Sequence, residues 1–357
     1  MRARVAGIGA WFPERVRENS EWPEEFLTRS AERRGDRTLV DIPTGEDDRF
    51  TRIATRHLTT EAGDPFLGTT RRRVSDERTS GRDAEAHAAR AALEDAGVDA
   101  AEVDVILSWA IVPDRISPSN ACHVGHAIGA HRAWSMGVDA ACASVVTQLT
   151  MAAALIESGR ASTVLLTQSH WVTRAMPMMH PASPNVGDGA AAMVVRAAEG
   201  TGIHATVALT EGQHYDAVTW CRGKTRDADP PWWEPGGAFY LGSLAPEAAQ
   251  LLMRNTIGIG VGTIEDLMRR ARMPVSSIDV LACVQPRRWV PSGIAEGLGL
   301  AEERAPQTFD EYAHLGGVGV TANLLAARSS GALTPGAQVA IYAQGAGFTR
   351  AAALLTW

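Results

Sequence analysis

Apolar and polar positions along this chain switch between two periods. Residues 5–12, "VAGIGAWF", form an apolar run that ends in a turn, which predicts a strand. Residues 84–97, "AEAHAARAALEDAG", are rich in alanine and stop at a glycine, which predicts a helix. "VDVILSWAIVPD" (103–114) is a second buried strand, closed by Pro113. "VVTQLTMAAALIESG" (145–159) returns to helical spacing and "STVLLTQS" (162–169) to a strand. Such alternation predicts a layered α/β fold.

The pattern repeats. "AGVDAAEVDVILSW" (96–109) matches "ARMPVSSIDVLACV" (271–284), with Asp104 and Asp279 at the same place before a strand. "GDGAAAMVVRA" (187–197) likewise echoes "GAGFTRAAALLTW" (345–357). Two echoes at similar offsets imply a duplicated unit, divided here as residues 1–195 and 196–357. Two stretches fit the alternation poorly. Residues 17–66 are charged, carry Pro23, Pro43 and Pro65, and show one short helical piece around "EWPEEFLTRSAERRG". Residues 222–237, "RGKTRDADPPWWEPGG", read as a loop.

Composition narrows the function classes. The chain has 357 residues, 45% of them hydrophobic, and a net charge of −7. That balance gives no case for a nucleic-acid partner. The cluster Arg71, Arg72 and Arg73 reads as a solvated rim. Four cysteines (Cys122, Cys142, Cys221 and Cys283) are widely spaced, which argues against a zinc ribbon or a disulfide scaffold. No run reaches the ~18 apolar residues of a membrane span, and the first residues lack a signal-peptide core. A cytoplasmic setting without membrane contact is the expectation.

One cysteine stands out. In "GVDAACASVV" (137–146) an apolar strand runs into Cys142 and a helix begins at once. Helix N–H groups there would lower the thiol pKa, although an ordinary buried cysteine has the same local sequence. A second feature is "FDEYAHLGGVG" (309–319), where His314 follows Asp310 by about one helical turn.

The segments "DAACASVV", "GDGAAAMVV", "GAGFTRAAALLTW" and "TRRRVSDERTSGRDAEAHAARAALEDAG" resemble ketosynthase III (β-ketoacyl-ACP synthase III) enzymes of the thiolase fold. The likeness runs from about residue 66 to the end, plus the first strand, with residues 17–66 as an enlarged insertion. It implies an α/β, duplicated five-layered αβαβα fold, two thiolase-like halves and a homodimer. It also implies an acyl group taken by Cys142 from a CoA or carrier-protein thioester. That donor is a substrate; no further cofactor is implied.

The sequence departs from that family where the family does its chemistry. Condensing members carry a histidine in a "PHQAN"-like segment and an asparagine in a "YGNTSAAS"-like segment. Here "CVQPRRWV" (283–290) places Gln285 at the histidine and Arg288 at that segment's asparagine, while "YAHLGGVGV" (312–320) places His314 at the other asparagine. Gln285 and Arg288 are therefore candidates to face substrate; Arg287 and Arg288 either meet a carboxylate or a phosphopantetheine arm or simply face solvent. Gly316, beside His314, should let substrate approach, and Gly347 belongs to the turn that completes an oxyanion hole in the family. Asp310 either orients His314 as the third member of a triad or only anchors its loop. Trp232 and Trp233 would floor an acceptor site or plug the surface. His123, His126 and His131 lack an acidic partner, so no metal is expected.

A single imidazole in place of a His–Asn pair suits a general base better than an enolate stabiliser. The expectation is an acyltransferase that passes an acyl group, malonyl among the candidates, from Cys142 to a small-molecule hydroxyl. The pattern is similar to that of ketosynthase homologues in polyketide tailoring that make esters or amides. The alternatives are a decarboxylating synthase that forms a C–C bond, and a silent partner that binds acyl chains or acyl carrier protein.

Overall fold

Two sheets carry the repeat in space. The computed structural model describes residues 2–36, 48–76 and 78–357. In the first sheet the order is β1 (Arg2–Trp11), β7 (Gly189–Ala198), β6 (Thr163–His170), β4 (Val105–Ile111), β5 (Trp134–Gly137). In the second it is β8 (Ile203–Thr210), β13 (Thr349–Thr356), β12 (Gln338–Gly345), β11 (Val280–Cys283). In the first sheet β4 pairs in parallel with both β5 and β6, and in the second β11 pairs in parallel with β12; in each, antiparallel strands follow. The repeated aspartates make the same clasp. The Asp104 carboxylate accepts from the N–H groups of Ser162 and Thr163 (2.6 and 3.0 Å), and Asp104 N–H donates to the Thr163 carbonyl. Asp279 accepts from Gln338 N–H at 2.8 Å and donates to its carbonyl at 2.9 Å.

Side-chain alternation along the strands builds the layers. On β4, Val105 and Leu107 point into the central core and Ile106 to the outer one, where α3 (Gly81–Ala96) and α4 (Asn120–Ile128) pack. On β12, Val339, Ile341 and Ala343 face the centre, while Ala340 and Tyr342 face α6 (Pro246–Ala271) and α7 (Val290–Leu298). Between the sheets lie α5 (Ser144–Glu157) and α9 (Val318–Ser329), which bury Val145, Val146, Leu149, Ile156, Val320 and Leu324. Each such side chain contributes about 1.5–3 kcal/mol by leaving water. The result is helix, sheet, helix, sheet, helix, the αβαβα order expected.

The structure corrects three local expectations. The boundary after residue 195 falls inside β7, which continues to Ala198 because Arg2 to Val5 of β1 pair with it. The segment 17–66, of which 37–47 lie outside the described residues, holds two helices, α1 (Glu24–Asp36) and α2 (Arg49–Glu61), rather than one. Ile53 and Ala54 of α2 sit in the core with α6 and α7. Arg72 is not part of a solvated rim. It lies fully buried on β3 (Arg71–Arg73), which pairs with β2 (Val16–Glu18). Its guanidinium stacks 4.4 Å over Trp22 and donates to Pro184, Arg17 and Asn19. Among the described residues no helix is long and apolar enough to cross a membrane.

Candidate active site

The two central helices begin at the same place, and the residues in front of them form the site. Cys142 sits on the turn between β5 and α5, in a backbone bent sharply enough to put Ala141 at φ 48. A left-handed non-glycine residue costs roughly 1–2 kcal/mol and needs anchors. Asp139 supplies one, accepting from Ala141 N–H (2.8 Å) and the Trp109 indole (2.9 Å). Ser144 Oγ accepts from Ala140 N–H (2.8 Å) and supplies another. The backbone of Gly345 is pressed against the same turn: a Cβ there would fall 2.9 Å from Cys142 N and 2.4 Å from the Ala140 carbonyl. Gly347, at φ 73, closes the turn that follows.

His314 occupies the equivalent place before α9, on the loop after α8 (Phe309–Tyr312). Its main chain is stitched to the 183–187 loop, N–H to the Asn185 carbonyl at 3.0 Å and carbonyl to Gly187 N–H at 3.1 Å. Its Nε2 lies 3.8 Å from Cys142 Sγ. Its Nδ1 lies 2.7 Å from the main-chain carbonyl of Gln285. A carbonyl only accepts, so Nδ1 carries the proton and Nε2 is a bare base facing the thiol. Burial, then the neighbouring His170 ring, and also the Arg287 charge, push His314 down to about 3. Burial and the nearby Asp139 carboxylate push the Cys142 thiol up to about 12. This direction is opposite to the lowered thiol expected from the helix N-terminus, because desolvation disfavours the thiolate.

Several expected neighbours stand elsewhere. Asp310 does not reach His314. It forms a two-pronged ion pair with Arg288 (2.7 and 3.0 Å) and accepts from Gln307, and both partners of the pair are about half exposed. The Arg288 bond, opposed by burial, holds its carboxyl below the usual range. Arg288 is thus engaged on the rim. Gln285 turns its side chain to Thr308, whose N–H donates to Oε1 at 3.2 Å, while Nε2 is buried without a hydrogen-bond partner. What Gln285 gives His314 is a main-chain carbonyl. Trp232 and Trp233 are 59% and 69% exposed on the loop between β9 (Thr219–Cys221) and β10 (Tyr240–Gly242), so they plug nothing. His123 pairs with Asp83 at 2.7 Å.

A model of the 3-oxoacyl-[acyl-carrier-protein (ACP)] synthase III family matches residues 136–212, and one of that family's C-terminal part matches residues 268–357. Both stretches carry halves of the site. The β-ketoacyl-[acyl-carrier-protein] synthase III of Bordetella petrii is 29% identical over 351 residues, covering 97% of this chain and 95% of its own. That of Rhizobium rhizogenes is 28% identical over 277 residues, 76% and 82% of the two chains. The chain is a ketosynthase III-like protein of the thiolase fold. Its backbone superposes on the 3-oxoacyl-[acyl-carrier-protein] synthase III of Aquifex aeolicus with a TM-score of 0.78 at 20% identity, covering 99% and 100% of the chains. The priming β-ketosynthase of the R1128 polyketide pathway gives 0.77 at 23%, covering 99% and 96%.

In this ketosynthase III-like protein the site holds a residue that the sequence reading passed over. His170 ends β6, fully buried, with its ring edge-on to His314 at 5.6 Å between centroids. The site therefore has two imidazoles, not the single one expected. The available signal was position: the carboxyl end of a parallel strand is where α/β sheets place ligands. Trp109, on the adjoining β4, lies beside Gly316 and was likewise missed.

Proposed function

We propose that this protein is an acyltransferase that loads an acyl group on Cys142 and transfers it whole to a hydroxyl, forming an ester. The donor is a CoA or carrier-protein thioester. One observation carries the reading: the Nδ1–H of His314 is tied to the Gln285 carbonyl, leaving Nε2 bare at 3.8 Å from Cys142 Sγ. A bare nitrogen takes protons; it has none to offer a developing enolate. In loading, the Sγ proton passes to His314 Nε2 as sulfur bonds the donor carbonyl carbon, and the departing thiolate takes that proton as its C–S bond breaks. Main-chain N–H groups of Cys142 and the Gly345–Gly347 turn would receive the transient oxyanion, the role that turn has in the resembled family. In transfer, the acceptor hydroxyl gives its proton to Nε2, the O–C bond forms, the C–Sγ bond breaks and sulfur is reprotonated.

Decarboxylating condensation is the second reading, favoured by the names of the relatives, which are β-ketoacyl synthases. Intact-protein mass spectrometry after incubation with acyl- and malonyl-CoA tests the shared first step. An adduct absent in Cys142→Ala supports both enzymatic readings, and none on the wild type across short thioesters supports a silent acyl-binding partner.

A further inference from the structure

His170 is 1% exposed, and its ring plane stands at 75° to that of His314. Its Nδ1 lies 2.7 Å from the Gly187 carbonyl, so the proton sits there and Nε2 is bare, as on His314. Among the described residues Nε2 has no hydrogen-bond partner. Gly316, at φ 55, packs against the ring with no side chain between: a Cβ there would fall 2.8 Å from Cδ2, the ring carbon next to Nε2. Two imidazoles 5.6 Å apart, the nearer one 3.8 Å from Cys142 Sγ, thus each carry one unprotonated nitrogen.

A lone hydroxyl brings one proton, and a bound molecule that covers the second nitrogen without donating to it leaves that nitrogen desolvated and unpaired, which is costly. We propose that the acceptor carries two adjacent hydroxyls: one gives its proton to His314 as it attacks, and the other donates to Nε2 of His170. This rests on the ester-forming reading. An ammonium would also bring several protons, but burial holds both rings neutral and the Arg287 charge already bears on His314, so a further cation is disfavoured. The bonds made and broken are those of the transfer step. The second hydroxyl keeps its proton throughout, so His170 binds and orients the acceptor.

The test offers acyl-loaded enzyme an equimolar mixture of cis-1,2-cyclohexanediol and cyclohexanol and measures the two esters by mass spectrometry. The diol ester should exceed the other at least about tenfold. In His170→Ala the ratio should fall to the roughly twofold excess expected from counting hydroxyls. His170→Gln, whose amide oxygen also accepts, should keep part of the preference. The ratio is internal to each sample, so a slower variant still reports, and His170→Leu, which fills the space without an acceptor, replaces the alanine variant where that one does not fold. A second arm needs no turnover: the unloaded enzyme is treated with iodoacetamide, and the diol should protect Cys142 better than cyclohexanol, an advantage lost in His170→Ala. Loading without any ester would sink the ester-forming reading alone. Equal yields or equal protection from the two alcohols in the wild type, or an undiminished preference in the alanine variant, would overturn the role of His170.

Discussion

Burial and the His170 ring hold His314 neutral with its ionisation pushed down to about 3, while burial and Asp139 push Cys142 up to about 12. Both directions favour a thiol beside a neutral imidazole over a thiolate–imidazolium pair. The sign follows from these directions: acid removes the base form of His314 only as pH falls toward 3, and alkali makes thiolate only near 12. The rate of Cys142 loading, followed by mass spectrometry, should then be flat from about pH 5.5 to about pH 9. An acid limb in the ordinary histidine range would contradict the burial argument. His314→Ala should cut loading and transfer by about 10²-fold or more, the scale of a lost general base. Asp310→Asn should change both by less than about threefold, because it disturbs only an exposed pair with Arg288. Steady-state kinetics on the two variants separates these outcomes, and an Asp310 variant as impaired as the His314 one would restore the triad.

At the scale of elements, the site is the meeting of two helix starts, α5 and α9, across the contact of Gly345 with the Cys142 turn. Gly345→Ala would force the main chain apart where the distances are 2.4 and 2.9 Å. Displacement of that order at a reacting centre costs about 10²-fold, so the variant should fold and bind donor yet load Cys142 about 10²-fold more slowly. Asp104→Ala and Asp279→Ala should each lower stability by about 1–2 kcal/mol in urea titrations, since each breaks the same strand clasp. Those aspartates show what could be read along the chain: strands, central helices and the duplication all leave local, periodic traces. The α2 helix left one too, with Phe50, Ile53, Ala54, His57 and Leu58 at helical spacing, but its charged flanks and nearby prolines outweighed it. Its partners lie far along the chain: Arg56 pairs with Glu296 at 2.5 Å, and His57 stacks on Trp289 at 5.1 Å.

Across the whole molecule, the fold brings together residues from both halves, and this decided which parts of the site could be read beforehand. Cys142 and His314 each sit in a local signature, a strand-to-helix turn and a glycine-rich loop. Their separation of 3.8 Å, the Gln285 carbonyl behind the imidazole, and the second ring of His170 depend on packing between distant segments, so nothing nearby in sequence announces them. Asp310 misled for the same reason: its spacing from His314 suited a triad, but Arg288 holds it on the rim. Enolate formation needs donors at the thioester carbonyl, each worth about 3 kcal/mol. Both imidazoles of this site present bare nitrogens. The most direct measurement uses malonyl-CoA labelled at its free carboxylate, with a diol acceptor and a count of the label in enzyme, product and gas. Retention of the label on Cys142 and in the ester is the expected result. Labelled CO₂ released at the rate of product formation would contradict it and make the protein a condensing synthase.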